Sequence, residues 1–177
     1  MKLKGEYEGA YRVQDYGVAE EIAGVRRLPL RRFNDDGGSM IELLRPAETL
    51  SEGLRDFEVA QINYSTLQPG AIKAFHIHRR QTDVWFVPPE DRVLLVLFDA
   101  RDGAPAGVHV RWVLGDGRAE LVRIPPGVAH GCRNLGGHAA RIFYFTDRTF
   151  SPDPSRCDEG RLAWDALGAE VWELSRG

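Results

Sequence analysis

Short runs of apolar, β-branched and aromatic residues recur along the chain at 57–64 (FEVAQINY), 84–87 (VWFV), 93–99 (VLLVLFD), 108–114 (VHVRWVL), 119–124 (AELVRI) and 140–146 (ARIFYFT). Turn-forming clusters separate them: Gln68-Pro69-Gly70, Pro88-Pro89, Asp102-Gly103, Gly115-Asp116-Gly117, Pro125-Pro126-Gly127 and Gly136-Gly137. Short strands returning every eight to twelve residues or so, between glycine and proline breaks, predict an antiparallel sandwich or barrel. Gly115-Asp116-Gly117 predicts a hairpin between the 108–114 and 119–124 runs, because glycine tolerates the positive φ of a tight turn. Helical periodicity is confined to short stretches at 18–22 and 47–54. The expected fold is therefore all-β, a jelly-roll barrel with short peripheral helices.

After Phe150 the pattern changes to a loop, SPDPSRCDEG, and then an aromatic and acidic segment, RLAWDALGAEVWEL, expected to pack back on the barrel. The organisation that follows is an N-terminal extension over 1–27 and one jelly-roll domain over 28–177. A chain of 177 residues fits one domain with a sizeable core.

Charge narrows the partners. Lys and Arg number 23 against 26 Asp and Glu, for a formal net charge of -3, so the concentrated positive field of a nucleic-acid binder is missing. No stretch approaches the roughly 20 apolar residues of a membrane span, and MKLKGEYEGAYRVQDYG lacks the apolar centre of a signal peptide. Cys132 and Cys157 have neither a Cys-x-x-Cys spacing nor the density of a secreted disulfide scaffold. A reduced cytoplasmic protein is expected, with neither nucleic acid nor membrane as a partner.

Three of the five histidines fall in two compact stretches, His76 and His78 in GAIKAFHIHRRQTD and His130 in IPPGVAHGCRN. Residues two apart on a strand share a face, so His76 and His78 point together. Gly70-x5-His76-x-His78-x4-Asp83 approximates the first motif of the cupins, with Asp83 at the usual glutamate, and Pro125-x-Gly127-x2-His130-x3-Asn134 fits the second. Two spaced patterns coinciding with an all-β reading point to a cupin-type double-stranded β-helix. Two chemistries fit these residues. His76, His78, Asp83 and His130 could form a three-nitrogen, one-oxygen metal site. Alternatively, one imidazole serves as a general base without a metal, its ordinary pKa near ~6.5 being close to operating pH.

More of the chain, from about residue 28 to 172, resembles the dTDP-4-dehydrorhamnose 3,5-epimerase family, as a divergent member. Phe33, Asp35, Gly38, Met40 and Glu42 follow its opening segment, Gln61-Ile62-Asn63 its Gln-x-Asn element, and Lys73-Ala74-Phe75-His76 its Arg-Gly-Leu-His. IPPGVAHG is similar to its Ile-Pro-x-Gly-Phe-Ala-His-Gly, and Tyr144 and Phe150 match its spaced pair of tyrosines. The stretch 161–172 resembles its closing Trp-Asn-Asp…Trp-Pro segment, with one residue fewer between the tryptophans. The resemblance implies a cofactor-free epimerase of a nucleotide-linked 4-keto-6-deoxysugar. It makes His76 the base, Asp165 the carboxylate orienting it and Tyr144 the proton donor. Lys73, His130, Gln61, Asn63, Glu42, Phe33 and Phe150 become substrate contacts. It further implies a homodimer whose N-terminal strands exchange, so that Phe33 and Glu42 serve the partner's site. Three positions depart from the family pattern: Gly37 and Lys73 replace arginines, and Asp83 stands near an expected lysine. The rival from another class is a metal-dependent cupin oxygenase or isomerase built on His76, His78, Asp83 and His130.

Overall fold

The computed structural model describes residues 1–13, 21–45 and 54–175. Among them the strands are β1 (Arg26–Pro29), β2 (Arg32–Asn34), β3 (Ser39–Ile41), β4 (Gln61–Leu67), β5 (Ile72–His78), β6 (Asp83–Phe86), β7 (Arg92–Asp99), β8 (His109–Gly115), β9 (Glu120–Ile124), β10 (Val128–Asn134), β11 (Ala140–Thr146) and β12 (Glu159–Arg161). Two five-stranded sheets, ordered β1-β9-β6-β11-β4 and β12-β5-β10-β7-β8, pack face to face as a jelly roll, with β2 and β3 as a separate hairpin. Every strand pairing is antiparallel.

The near-continuous apolar run of β7 reflects burial on both faces. Val93, Leu95 and Leu97 point between the sheets, where they meet Val110 and Leu114 of β8, Val122 and Ile124 of β9 and Val128 of β10. Leu94 and Val96 point the other way and are covered by Val171 and Trp172 of the C-terminal segment, together with Phe75. On the outer face of the other sheet, Val84, Phe86, Leu121 and Phe145 lie beneath Leu28, Leu30, Ile41, Leu43, Phe57 and Val59. Each large aliphatic side chain buried this way contributes about 1.5–3 kcal/mol, so both chain ends stabilise the sandwich by covering its outer faces.

The turn at Gly115-Asp116-Gly117 forms, but it is not a hairpin. β8 pairs with β7 while β9 pairs with β6 and β1, so the turn carries the chain from one sheet to the other. It is fastened to the β6–β7 loop, where Asp116 N donates to Asp91 O at 2.8 Å and Gly117 N to Pro89 O at 2.8 Å. Glycine is required at 115, with φ 73°, since a Cβ there would sit 2.2 Å from Asp91 O. The strand expected over 57–64 begins later and runs to Leu67, in register with β11 from Gln61 opposite Thr146 to Leu67 opposite Ala140. Of the expected helix at 18–22, residues 18–20 lie outside the described part of the chain, and Glu21 and Ile22 are not helical. The expected helix at 47–54 lies outside it except for Leu54. Among the described residues the short helices are Gly5–Glu8, with no buried residue, and a 3-10 turn at Ala169–Trp172, and Leu54 is also in 3-10 conformation.

Candidate active site

Strand alternation builds a pocket of about 610 Å³ at one end of the sandwich. Inward positions of β4 (Gln61, Asn63, Ser65), β6 (Asp83, Trp85) and β11 (Ile142, Tyr144, Thr146) line one wall, and His76, His78, His130 and Cys132 of β5 and β10 line the other. Toward the opposite end the inward positions of β7, β8 and β9 are aliphatic and fill the space. Gly131 lets β5, β10 and the C-terminal segment pack closely, since a Cβ there would come within 2.4 Å of Ala74 Cβ and 2.9 Å of the Trp172 ring.

His76 is half-buried, with Nδ1 3.3 Å from Glu159 Oε1. Burial lowers its pKa from the ordinary value, and the Glu159 carboxylate opposes that shift only in part. The neutral imidazole, the form that accepts a proton, therefore predominates at neutral pH. Across the pocket, Tyr144 packs against Trp85 with ring centroids 6.2 Å apart. Burial raises its pKa, and the Asp83 and Glu159 charges add to the effect, so its hydroxyl keeps its proton. Gln61 Nε2 donates to Asn63 Oδ1 at 2.7 Å, and Gln61 Oε1 accepts from Phe150 N at 2.8 Å, which ties the mouth loop to β4. Lys73 and Arg161 supply cations to the lining. Burial pushes the Cys132 thiol up to about 12, so it is an inert member of the wall.

Deeper in the pocket, between its two walls, one nitrogen each from His78 and His130 and one oxygen of Asp83 lie within 4.8 Å of one another, all three residues being buried. Of the four residues that the cupin spacing offered as metal ligands, the structure gathers these three and leaves His76 outside the cluster. Imidazole and carboxylate donors suit a first-row transition metal.

The structure brings His76, Tyr144, Lys73, His130, Gln61, Asn63 and Phe150 to one pocket. It does not bring Asp165 there. That residue is exposed in the turn before Gly168, and its carboxylate carries no hydrogen bond among the described residues. The carboxylate facing His76 is Glu159, because β12 pairs with β5 in a register that sets Arg161 opposite His76 and Glu159 opposite His78. Phe33 and Glu42 also lie outside the pocket of their own chain. Phe33 is on β2 beneath the Arg31 guanidinium, and Glu42 follows β3 and pairs with Arg45. Glu159, Arg161 and Gln81 are among the lining residues that sequence patterns missed. A three-residue strand carries no periodicity, and its partner lies about eighty positions away.

The family model for dTDP-4-dehydrorhamnose 3,5-epimerase matches residues 19–172. The chain is 39% identical over 145 residues to the spore coat polysaccharide biosynthesis protein SpsL of Bacillus subtilis, covering 81% of this chain and 91% of the relative. Among solved structures, a dTDP sugar isomerase from Desulfovibrio desulfuricans is similar at a TM-score of 0.69 and 26% identity, covering 87% of this chain and 91% of that one. The dTDP-6-deoxy-D-glucose-3,5-epimerase of Legionella pneumophila, solved with dTDP-4-keto-L-rhamnose, shares the fold at a TM-score of 0.74 and 22% identity, over 90% of this chain and 84% of that one.

Proposed function

This chain belongs to the dTDP-4-dehydrorhamnose 3,5-epimerase family of sugar isomerases, and we propose that it epimerises a nucleotide-linked 4-keto-6-deoxysugar by side-chain acid–base chemistry. The observation that carries this reading is the placement of His76 and Tyr144 on opposite sheets facing one pocket. Inverting a carbon beside a ketone requires a base on one face and an acid on the other, and moves a proton but no electrons. His76 takes the C–H proton, and Glu159 at its Nδ1 fixes the tautomer and stabilises the imidazolium that forms. Lys73 attends the oxygen on which enolate charge develops. Tyr144 returns a proton to the other face, its phenolate is reprotonated from solvent, and the His76 imidazolium releases its proton to solvent, which restores both groups.

Gln61, Asn63 and Arg161, with Phe150 at the mouth, hold the nucleotide diphosphate. Phe33 and Glu42 are assigned to the site of a second copy in a strand-exchanged homodimer, since neither reaches the pocket of its own chain. No helix among the described residues is long and apolar enough to cross a membrane.

The test is NMR of dTDP-4-keto-6-deoxyglucose incubated with the protein in D2O. Deuterium at C3 and C5 is expected for a 3,5-epimerase, and at C3 alone for a single-carbon epimerase. No incorporation at either carbon overturns the reading.

A further inference from the structure

We propose that His78, Asp83 and His130 form a binding site for one divalent transition-metal ion between the two walls of the pocket. His78 Nδ1 lies 3.1 Å from Asp158 O and His130 Nδ1 3.2 Å from Val128 O. A carbonyl only accepts, so each Nδ1 carries the ring proton and each Nε2 is left with a lone pair. Both lone pairs are aimed at a carboxylate. His78 Nε2 is 3.9 Å from Asp83 Oδ1, and His130 Nε2 is 3.5 Å from Asp83 Oδ2.

Three acceptors thus converge with no proton between them. His78 Nε2 has one long contact, 3.4 Å, with the Gln81 amide, while His130 Nε2, in a residue 3% exposed, meets no donor among the described residues. Protonating His130 instead would leave its Nε2–H 3.5 Å from Asp83, well beyond the ~2.7–2.9 Å of a charge-assisted hydrogen bond. A cation resolves the arrangement. One donor atom of each residue lies within 4.8 Å of the other two, a spacing that small side-chain rotations bring to the ~2.0–2.2 Å radius of a bound ion.

The surroundings are those of ligating groups. Both imidazoles are oriented through Nδ1–H by backbone carbonyls, and Asp83 is oriented by Gln81 Nε2 at 2.8 Å on Oδ1 and Trp85 Nε1 at 3.3 Å on Oδ2. The set of two imidazoles and one carboxylate leaves further coordination positions toward the pocket that all three residues line. His76 stands apart from the cluster, so the ion and the base occupy separate atoms.

The experiment uses the full chain stripped with a chelator and titrated with Co2+, followed by visible d–d absorption, with Zn2+ competition and metal analysis after gel filtration. One ion per chain is expected. His78→Gln and Asp83→Asn are each expected to weaken Co2+ binding by about a hundredfold, as loss of one of three ligands should. His76→Gln is expected to leave stoichiometry and affinity unchanged, and circular dichroism establishes that each variant is folded. Binding well below one ion per chain, binding unaffected by the His78 and Asp83 changes, or equal loss in His76→Gln would each overturn the three-ligand site. All readouts are taken without sugar nucleotide, so failure here leaves the epimerase reading standing, and the converse holds.

Discussion

Asp83 and Asp91 are both buried carboxylates, 3% and 1% exposed, yet opposite ends of the sandwich use them differently. Asp91 is saturated with donors. Arg141 reaches it through its backbone N at 2.8 Å and its Nε at 2.9 Å, and His138 Nε2 lies 2.9 Å away. Its own backbone carbonyl anchors the turn between the sheets. Asp83 has one neutral donor on each oxygen and two imidazole lone pairs facing it. A carboxylate whose partners are all donors holds the fold together, whereas Asp83, with a single neutral donor on each oxygen, keeps acceptor capacity for the ion proposed above.

The largest expected effect lies in the pocket. His76→Ala should lower epimerisation by about 10²–10⁴-fold, the usual contribution of a general base, measured as initial rates on the ketosugar. Wild-type turnover would remove His76 from the reaction. Tyr144→Phe separates the two halves of the chemistry: deuterium should still enter at the carbon that His76 attacks, while formation of the inverted product falls at least about tenfold. Equal loss of exchange and inversion would place Tyr144 on the same step as His76. Glu159→Gln should cost about tenfold in kcat and Asp165→Asn very little, because only Glu159 touches the imidazole. The reverse order would restore Asp165 as the orienting carboxylate.

Smaller effects on stability sharpen the contrast between the two aspartates. Asp91→Asn should cost about 1–3 kcal/mol, because the amide offers one acceptor to donors that had two. Thermal unfolding should register this as a drop of roughly 2–4 °C per kcal/mol. Asp83→Asn in the metal-free protein should melt at or above the wild-type temperature, since the new amide N–H can donate to an imidazole nitrogen. A large loss there would make Asp83 a second structural carboxylate. The smallest effect is in acid. Burial alone would raise the Asp91 pKa, but the Arg141 and His138 hydrogen bonds outweigh it and hold the carboxyl below its ordinary 3.8. A lowered folded pKa gives stability that is fully present above the unfolded value and is lost as pH falls through the folded one. The stability gap between wild type and Asp91→Asn should therefore be constant above about pH 5 and close below about pH 4.

The strand runs and the sharing of one face by His76 and His78 were legible because side chains alternate with a period of two on any strand, whatever its partner. The β11 run, 140–146, coincides with the observed strand. Motif spacing singled out His76, His130 and Tyr144 for the same reason, each standing at a fixed place on its own short segment. Two things were not legible. The glycine turn at 115–117 was readable as a turn but not as an inter-sheet corner, since its backbone angles are local and the sheet that the next strand joins is not. Glu159 was invisible, because its place beside His76 arises from a three-residue strand pairing with β5 across a long loop. By itself the sequence determined the six strands with long apolar runs, the shared face of His76 and His78, and the family. The tertiary structure alone decided that Glu159 meets His76 and that Asp83 faces two imidazoles, because partners distant in the chain are chosen by packing and hydrogen-bond register, and neither leaves a periodic trace.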